Sequence, residues 1–175
     1  VIVGFNISIE EDIEIGKVKI ITNDVVYKLI DDLNKWKKAK SEEIEKERLM
    51  ELETICKLEI LPEYIFRNSN PAIFGARILG GKTRVGLPLI DNNGEEVARI
   101  KGMQKDKMSV QEAVEGEELA ISLPGVTFDR RLKEVKYLYS YISKTGMKKF
   151  KKNIDLLSSK EKSILSEISN LEEIE

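Results

Sequence analysis

The sequence predicts an α+β chain: two strands of a parallel sheet, one long helix, a closed or nearly closed β-barrel, and two final helices. Three observations predict it. From Lys57 onward, short runs alternate apolar and polar residues and are punctuated by turn residues with no helix between them, which is the pattern of a small barrel. From Asp24 to Glu53 there is neither glycine nor proline, so one helix can run unbroken. From Lys144 the period changes to three and four and stays there to the end of the chain.

The first segment, Val1 to Ile7, is β-branched and apolar, as is Lys17 to Thr22, and both read as buried strands of a parallel sheet. Glu10 to Glu14 lies between them as an acidic turn or short helix. Two strands cannot make a stable layer by themselves. With Val1 standing where a buried strand is already under way, the chain is expected to be a piece of a longer polypeptide. Asn23 is a candidate N-cap, with Asp24 in the first turn. Val26, Leu29, Ile30, Leu33 and Trp36 form an apolar stripe that should pack on the strands. Beyond Trp36 the helix is almost all charge. It reads as a solvated spacer of some thirty residues, on the order of 45 Å long, or as a helix folded back on its own domain or pairing as a coiled coil, for which its apolar positions are sparse.

The expected strands are residues 57–61, 64–68, 72–79, 83–90, 96–103, 118–123 and 136–143. Tyr64 to Ile90 is the central stretch. Gly80 and Gly81 there read as a hairpin turn between two strands, and Gly86 and Pro88 punctuate the exit strand. Asp91-Asn92-Asn93-Gly94 is a second hairpin signal, and Gly116 and Pro124-Gly125 mark corners. In the tail, Met147, Phe150, Ile154 and Leu157 share one face of the first helix. Ser158 with Glu161 makes a capping box for the second, whose stripe is Ile164, Leu165, Ile168 and Leu171. Either both stripes pack on the barrel, or a groove between them holds a partner segment.

The composition removes classes of chemistry. There is no histidine, hence no imidazole base, no Ser-His-Asp system and no His-ligated metal. Cys56 is alone, so the chain contains no disulfide and no cysteine-based zinc site. Gly81-Lys82-Thr83 imitates the end of a phosphate-binding loop, but Ala76 stands where that loop needs glycine. The residues after Thr83 run Arg-Val-Gly-Leu-Pro, which cannot be the helix such a loop requires. No metal site and no enzymatic activity are expected in this chain. No apolar run approaches the roughly 20 residues of a membrane span, and a cytoplasmic location is expected. The net charge of −2 is unevenly spread, with Lys144 to Lys152 a basic cluster between acidic ends.

The order of segments and three motifs carry a resemblance. EYIFRNSNPAIFG, GGKTRVGLPLI and VQEAVEGEELAIS, preceded by a strand and the NDVVYKLIDDL helix, resemble the C-terminal part of archaeal and eukaryotic translation initiation factor 5B, the counterpart of bacterial initiation factor 2. The resemblance covers essentially the whole chain. It implies the end of an α/β/α sandwich domain at residues 1–23, a long connecting α-helix at 24–56, a closed translation-factor β-barrel at 57–143 and a two-helix extension at 144–175. It also implies that a GTPase domain, with its GTP and magnesium, lies elsewhere in the parent protein, so that no cofactor belongs to this chain.

The family uses this barrel to bind the acceptor end of methionyl initiator tRNA on the ribosome and to support subunit joining. Its eukaryotic members dock the tail of initiation factor 1A on the barrel and final helices. Membrane and DNA are not among the implied partners. Recognition of a single-stranded RNA end needs basic side chains beside apolar or aromatic surface. The RNA-binding candidates are Arg67, Asn70, Lys101, Lys105, Arg130 and Arg131, with Arg67 and Arg130 first among them. The partner-binding candidates are Lys148, Lys149, Phe150, Leu157, Leu165 and Ile168. Bacterial members recognise formylmethionine with a pocket that includes two cysteines, and this chain has Ala76 and Leu119 there, which fits an unformylated methionine. Two other classes stay open: a protein-interaction module acting through the tail, and an elongation-type factor carrying other aminoacyl-tRNAs.

Overall fold

The computed structural model describes residues 1–7, 18–50 and 52–172. They fall into two compact units, residues 1–50 and residues 51–175. In the first unit, β1 (Ile2–Phe5) and β2 (Ile20–Asn23) pair in parallel as expected, Ile2 opposite Ile20 through Phe5 opposite Asn23. The acidic segment Glu10 to Glu14 lies outside the described residues.

Helix α1 (Val26–Met50) starts later and ends earlier than its sequence suggests. The Asn23 side chain accepts the backbone N–H of Val25 at 3.0 Å, which closes a turn ahead of the helix, and Asp24 lies outside the first helical turn. Of the expected stripe, Leu29 is buried and Leu33 and Trp36 are half-buried, while Val26 and Ile30 are exposed. Two strands are too narrow to cover a whole helical stripe. The charged half carries ion pairs such as Lys40–Glu43 at 2.8 Å.

The second unit is a strongly curled half-barrel. Its strands are β3 (Cys56–Arg67), β4 (Ala72–Arg84), β5 (Pro88–Ile90), β6 (Glu96–Arg99), β7 (Gly102–Lys105), β8 (Met108–Val110), β9 (Glu112–Val114), β10 (Glu118–Leu123) and β11 (Tyr137–Ser140). The sheet order is β6-β5-β11-β3-β4-β10-β7-β8, with β9 added alongside the end of β4. The expected closed barrel is therefore corrected: β6 and β8 end the sheet and do not pair with each other. Ile100, fully buried between β6 and β7, carries the chain across the opening, its backbone bonded to Gly86 and Leu87. Alternation sets the inner face, with Leu58 and Ile60 of β3, Phe74, Ala76 and Ile78 of β4, and Leu119, Ile121 and Leu123 of β10 all buried.

The hairpin expected at Gly80-Gly81 is not a turn. Strand β4 runs straight through both glycines, and the hairpin that it makes with β3 turns instead at Asn68–Pro71. The strand bulges at Leu79, between the Leu58–Ile78 and Lys57–Gly80 pairs, and after Gly81 (φ +74°) it changes partner, from β3 to β9. A Cβ there would stand 2.1 Å from the Ile55 carbonyl oxygen, and one on Gly80 would stand 2.7 Å from Ile164. The glycine pair thus admits a backbone on one side and a packed helix on the other. The false phosphate loop lies within this strand, with Thr83 fully buried. The Asp91–Gly94 hairpin forms as expected, Asp91 Oδ1 accepting from the backbone N–H groups of Asn93 and Glu95 at 2.8 and 3.1 Å.

A short helix, α2 (Phe128–Arg131), follows β10. The tail comprises α3 (Lys144–Lys152), a 3₁₀ turn at Ile154–Leu156, and α4 (Ser159–Glu172). The capping box is present: Ser158 N donates to Glu161 Oε2 at 2.8 Å and Glu161 N donates to Ser158 Oγ at 3.2 Å. Both helices pack on the sheet through a second core of Ile55, Ile90, Tyr139, Ile142, Met147 and the α4 stripe. Ile154 is the exception, half exposed because α3 ends before it. Lys57 and Tyr139 tie α4 to the sheet through Glu167, at 2.5 and 2.7 Å.

Candidate nucleic-acid interface

The six RNA-binding candidates do not share one face, and the hairpin tip between β3 and β4 sorts them. Asn68 locks the tip to α2. Its carbonyl accepts from Phe128 N at 2.7 Å, its Oδ1 accepts from Asp129 N at 3.0 Å, and its Nδ2 donates to Asp129 Oδ2 at 2.7 Å. Ser69 bridges to Thr127 alongside. Arg67 and Asn70 of the tip therefore lie at the same corner as Arg130 of α2. Arg67 Nε donates to the Ser69 carbonyl at 3.1 Å, which fixes the side chain while leaving its two terminal amino groups for a ligand.

Sheet register brings Lys101 to this corner as well. Arg67 is opposite Ile73, Ile73 opposite Ser122, and Ser122 opposite Gly102, the neighbour of Lys101. Three strand spacings make that rank about 14 Å wide. Along it runs an open groove of about 360 Å³ on the outer face, lined by Ile73, Lys101, Gly102, Gln104, Ala120 and Ser122 among others. At its edge β3 leaves the core, and Tyr64, Ile65 and Phe66 are exposed, Tyr64 and Phe66 by 52% and 64%. Tyr64 lies across Gly75, where a Cβ would stand 2.8 Å from its own Cβ. Sequence reasoning called for aromatic surface and did not locate it. The signal was a strand-like run, Tyr64 to Phe66, with no polar alternation.

Two candidates are withdrawn from this surface by their ion pairs. Lys105 bonds Glu117 at 2.6 Å at the far end of β7. The lysine, together with the backbone N–H of Val114, holds the Glu117 carboxyl below its ordinary range. Arg131 bonds Asp91 and Glu95 at 3.1 and 2.9 Å and the Glu96 carbonyl at 3.4 Å. Asp91 is buried, so Arg131 serves as the clamp of the β5–β6 hairpin.

The partner-binding set is corrected more sharply. Phe150, Leu157, Leu165 and Ile168 are all buried in the second core, Phe150 and Ile168 almost completely. They hold the tail on the sheet and offer no surface to a partner; only Lys148 and Lys149 of that set reach solvent, Lys149 in part. Ala76 and Leu119, at the positions of the two bacterial cysteines, face each other across β4 and β10 and are buried in the main core. Beside them Arg77 is held by Glu118 at 2.6 Å and by Glu59 at 3.5 Å. Cys56 is fully buried, and burial pushes its thiol up to about 12, which leaves it inert as a nucleophile.

The family model described as elongation factor Tu domain 4 matches residues 55–139, which makes the curled half-barrel a translation-factor domain. Among curated relatives, a probable translation initiation factor IF-2 from Methanoculleus marisnigri is 38% identical over 161 residues, which is 91% of this chain and 27% of the relative. One from Aeropyrum pernix is 35% identical over 180 aligned residues, covering 98% of this chain and 29% of the relative. The crystal structure of GDP-bound aIF5B from Aeropyrum pernix matches with a TM-score of 0.69 at 35% identity, over 89% of this chain and 26% of that one. The chain belongs to the translation initiation factor IF-2/aIF5B family. It spans a little over a quarter of the length of the relatives it matches.

Proposed function

We propose that this chain is the C-terminal part of a cytoplasmic translation initiation GTPase, and that its half-barrel binds the acceptor end of methionyl initiator tRNA on the ribosome during subunit joining. GTP and magnesium belong to another part of the parent protein, and this chain contributes binding and positioning, with no catalysis of its own. One observation carries the reading. Arg67, Asn70, Lys101 and Arg130 converge with exposed Tyr64 and Phe66 beside an open groove. Cationic groups neutralise phosphates, and aromatic faces stack on unpaired bases whatever their identity. The buried Ala76–Leu119 pair supports an unformylated methionine, since no formyl-binding cysteines stand there.

Helix α1 acts as a lever in this reading. Its 25 residues make about 38 Å of rigid rod, over which a small rotation at one end becomes a displacement of several ångströms at the other.

The test is binding of the chain to methionyl initiator tRNA, the same tRNA uncharged, and an elongator aminoacyl-tRNA across a salt series. Arg67→Ala, Arg130→Ala and Tyr64→Ser are measured beside the unchanged chain. Preference for the charged initiator is expected. Each arginine variant should lower the salt slope by about 1, and Tyr64→Ser should weaken binding by about 1–3 kcal/mol with the slope unchanged. Equal binding of all three RNAs, untouched by the variants, would refute the assignment.

A further inference from the structure

Helix α3 carries five lysines in nine residues and no acid. Gly146, Met147 and Phe150 are its buried face. Lys144, Lys148, Lys151 and Lys152 are all exposed. At 3.6 residues per turn they fall within an arc of roughly 100° facing away from the buried residues. Among the described residues none of these four forms an ion pair, unlike Lys57, Lys105 and Lys160, each of which meets a glutamate.

The helix's own stability does not account for the row. Cations near the C-terminal end complement the macrodipole, which covers Lys151 and Lys152, but Lys144 stands at the positive end and Lys148 at the middle, where the dipole gives a cation nothing. The negative charge favoured there comes instead from outside the helix: the Glu53 carboxylate accepts from Ser143 N at 2.9 Å and from Ser143 Oγ at 2.6 Å.

We propose that this row of lysines is a second RNA-binding surface, one that grips the phosphate backbone of an RNA duplex without reading sequence, separate from the hairpin tip. The chemistry selects this occupant over an acidic peptide. A peptide needs apolar anchors in a desolvated pocket, and the apolar residues of this tail, Phe150, Leu157, Leu165 and Ile168, are consumed by the core. A phosphate backbone needs only a regular line of solvated positive charge, and α3 supplies it.

The experiment titrates the 175-residue chain with a blunt-ended RNA duplex, which has no single-stranded end for the hairpin tip, at several salt concentrations. A variant with Lys144, Lys148, Lys151 and Lys152 all changed to glutamine, one with all four changed to arginine, and Arg67→Ala/Arg130→Ala are run alongside, with circular dichroism confirming the fold. A polyglutamate peptide serves as the rival ligand. The glutamine variant should lose most duplex binding, and its slope of log affinity against log salt should be shallower by about 3. The arginine variant and the hairpin-tip variant should bind the duplex like the unchanged chain. No duplex binding by the unchanged chain, an unaltered slope in the glutamine variant, or lysine-dependent capture of polyglutamate without capture of duplex would each overturn the proposal. Because the duplex has no acceptor end, none of these outcomes depends on the hairpin-tip reading.

Discussion

Changing Gly81 to alanine gives the sharpest test of how the half-barrel is built. The residue sits at φ +74°, and an added Cβ would lie 2.1 Å from the Ile55 carbonyl oxygen and 2.8 Å from its carbon. Two costs follow. Holding a non-glycine residue in the left-handed region costs about 1–2 kcal/mol. The Ile55 carbonyl accepts the backbone N–H of Lys82 at 3.0 Å, so moving it aside sacrifices a hydrogen bond of about 1 kcal/mol and shifts the start of β3 against the tail core. Together they predict a loss of about 2–3 kcal/mol. Gly86→Ala is the control, because Gly86 has φ +86° and nothing within 4 Å of the added carbon. It carries the first cost alone. In urea, with a slope of about 1–3 kcal/mol/M, the midpoint of the Gly81 variant should fall by about 1–2 M. Four of the five tyrosines, Tyr64, Tyr137, Tyr139 and Tyr141, lie in this unit, so tyrosine near-UV dichroism measured on a Tyr27→Phe background follows it, and Trp36, the only tryptophan, reports on the other unit. Equal midpoints for the two glycine variants would refute the close approach of Gly81 to the Ile55 carbonyl.

Three further outcomes are expected. Asp91→Ala removes two backbone hydrogen bonds and the buried partner of Arg131, which keeps only its contacts to Glu95 and the Glu96 carbonyl, and should cost about 2–3 kcal/mol; a double-mutant cycle with Arg131→Ala should show coupling, and strict additivity would contradict the clamp. For Glu167, burial opposes the charged form, but the hydrogen bonds from Lys57 and Tyr139 outweigh it and the carboxyl lies below its ordinary value of 4.5. A depressed carboxyl stabilises the fold above its unfolded pKa and stops doing so as pH falls through the folded one. Stability should therefore drop on acidification below about pH 4.5, and Glu167→Gln should flatten that acid limb in thermal melts at graded pH. Inserting Gly-Gly after Ala39 should cost about 2 kcal/mol of helix propensity and weaken subunit joining when made in the parent factor; joining at the unchanged rate would end the lever proposal.

The fold was legible where one rule acted alone. The inward residues of β3, β4 and β10 follow from alternation, and the Asp91–Gly94 turn and the Ser158–Glu161 box from local hydrogen bonding. It was illegible where two structures share a local signal. A glycine pair marks a turn or a close approach within a continuous strand equally well. The choice at Gly80-Gly81 was made by Ile55 and Ile164, far away in sequence. Residues 96–103 read as one strand because Ile100 is as buried as a strand residue, yet the chain there leaves one end of the sheet and joins the other. Closure could not be read at all, since it depends on whether β6 and β8 meet, and neither three- nor four-residue strand carries that information.

The site shows the same division in its charges. Arg130 and Arg131 are neighbours with the same chemistry, and no pattern in the sequence ranks one above the other. Their fates differ because Asp91, buried under the β5–β6 turn, requires a cation and, among the described residues, Arg131 is the one that reaches it. A buried carboxylate left unpaired costs more than a surface arginine gains from solvent, so that pairing is enforced and Arg130 is left exposed at the corner with Arg67. Glu117 captures Lys105 in a bond of the same kind, though at the surface, where screening makes it weaker. It follows that the two withdrawn candidates are not equivalent. Arg131 stays out of RNA binding as long as the hairpin is folded, whereas phosphate could compete Lys105 away from Glu117. Salt-slope measurements on Lys105→Gln and Arg131→Gln should separate them, because only the lysine can contribute to the slope without unfolding the turn that Arg131 holds.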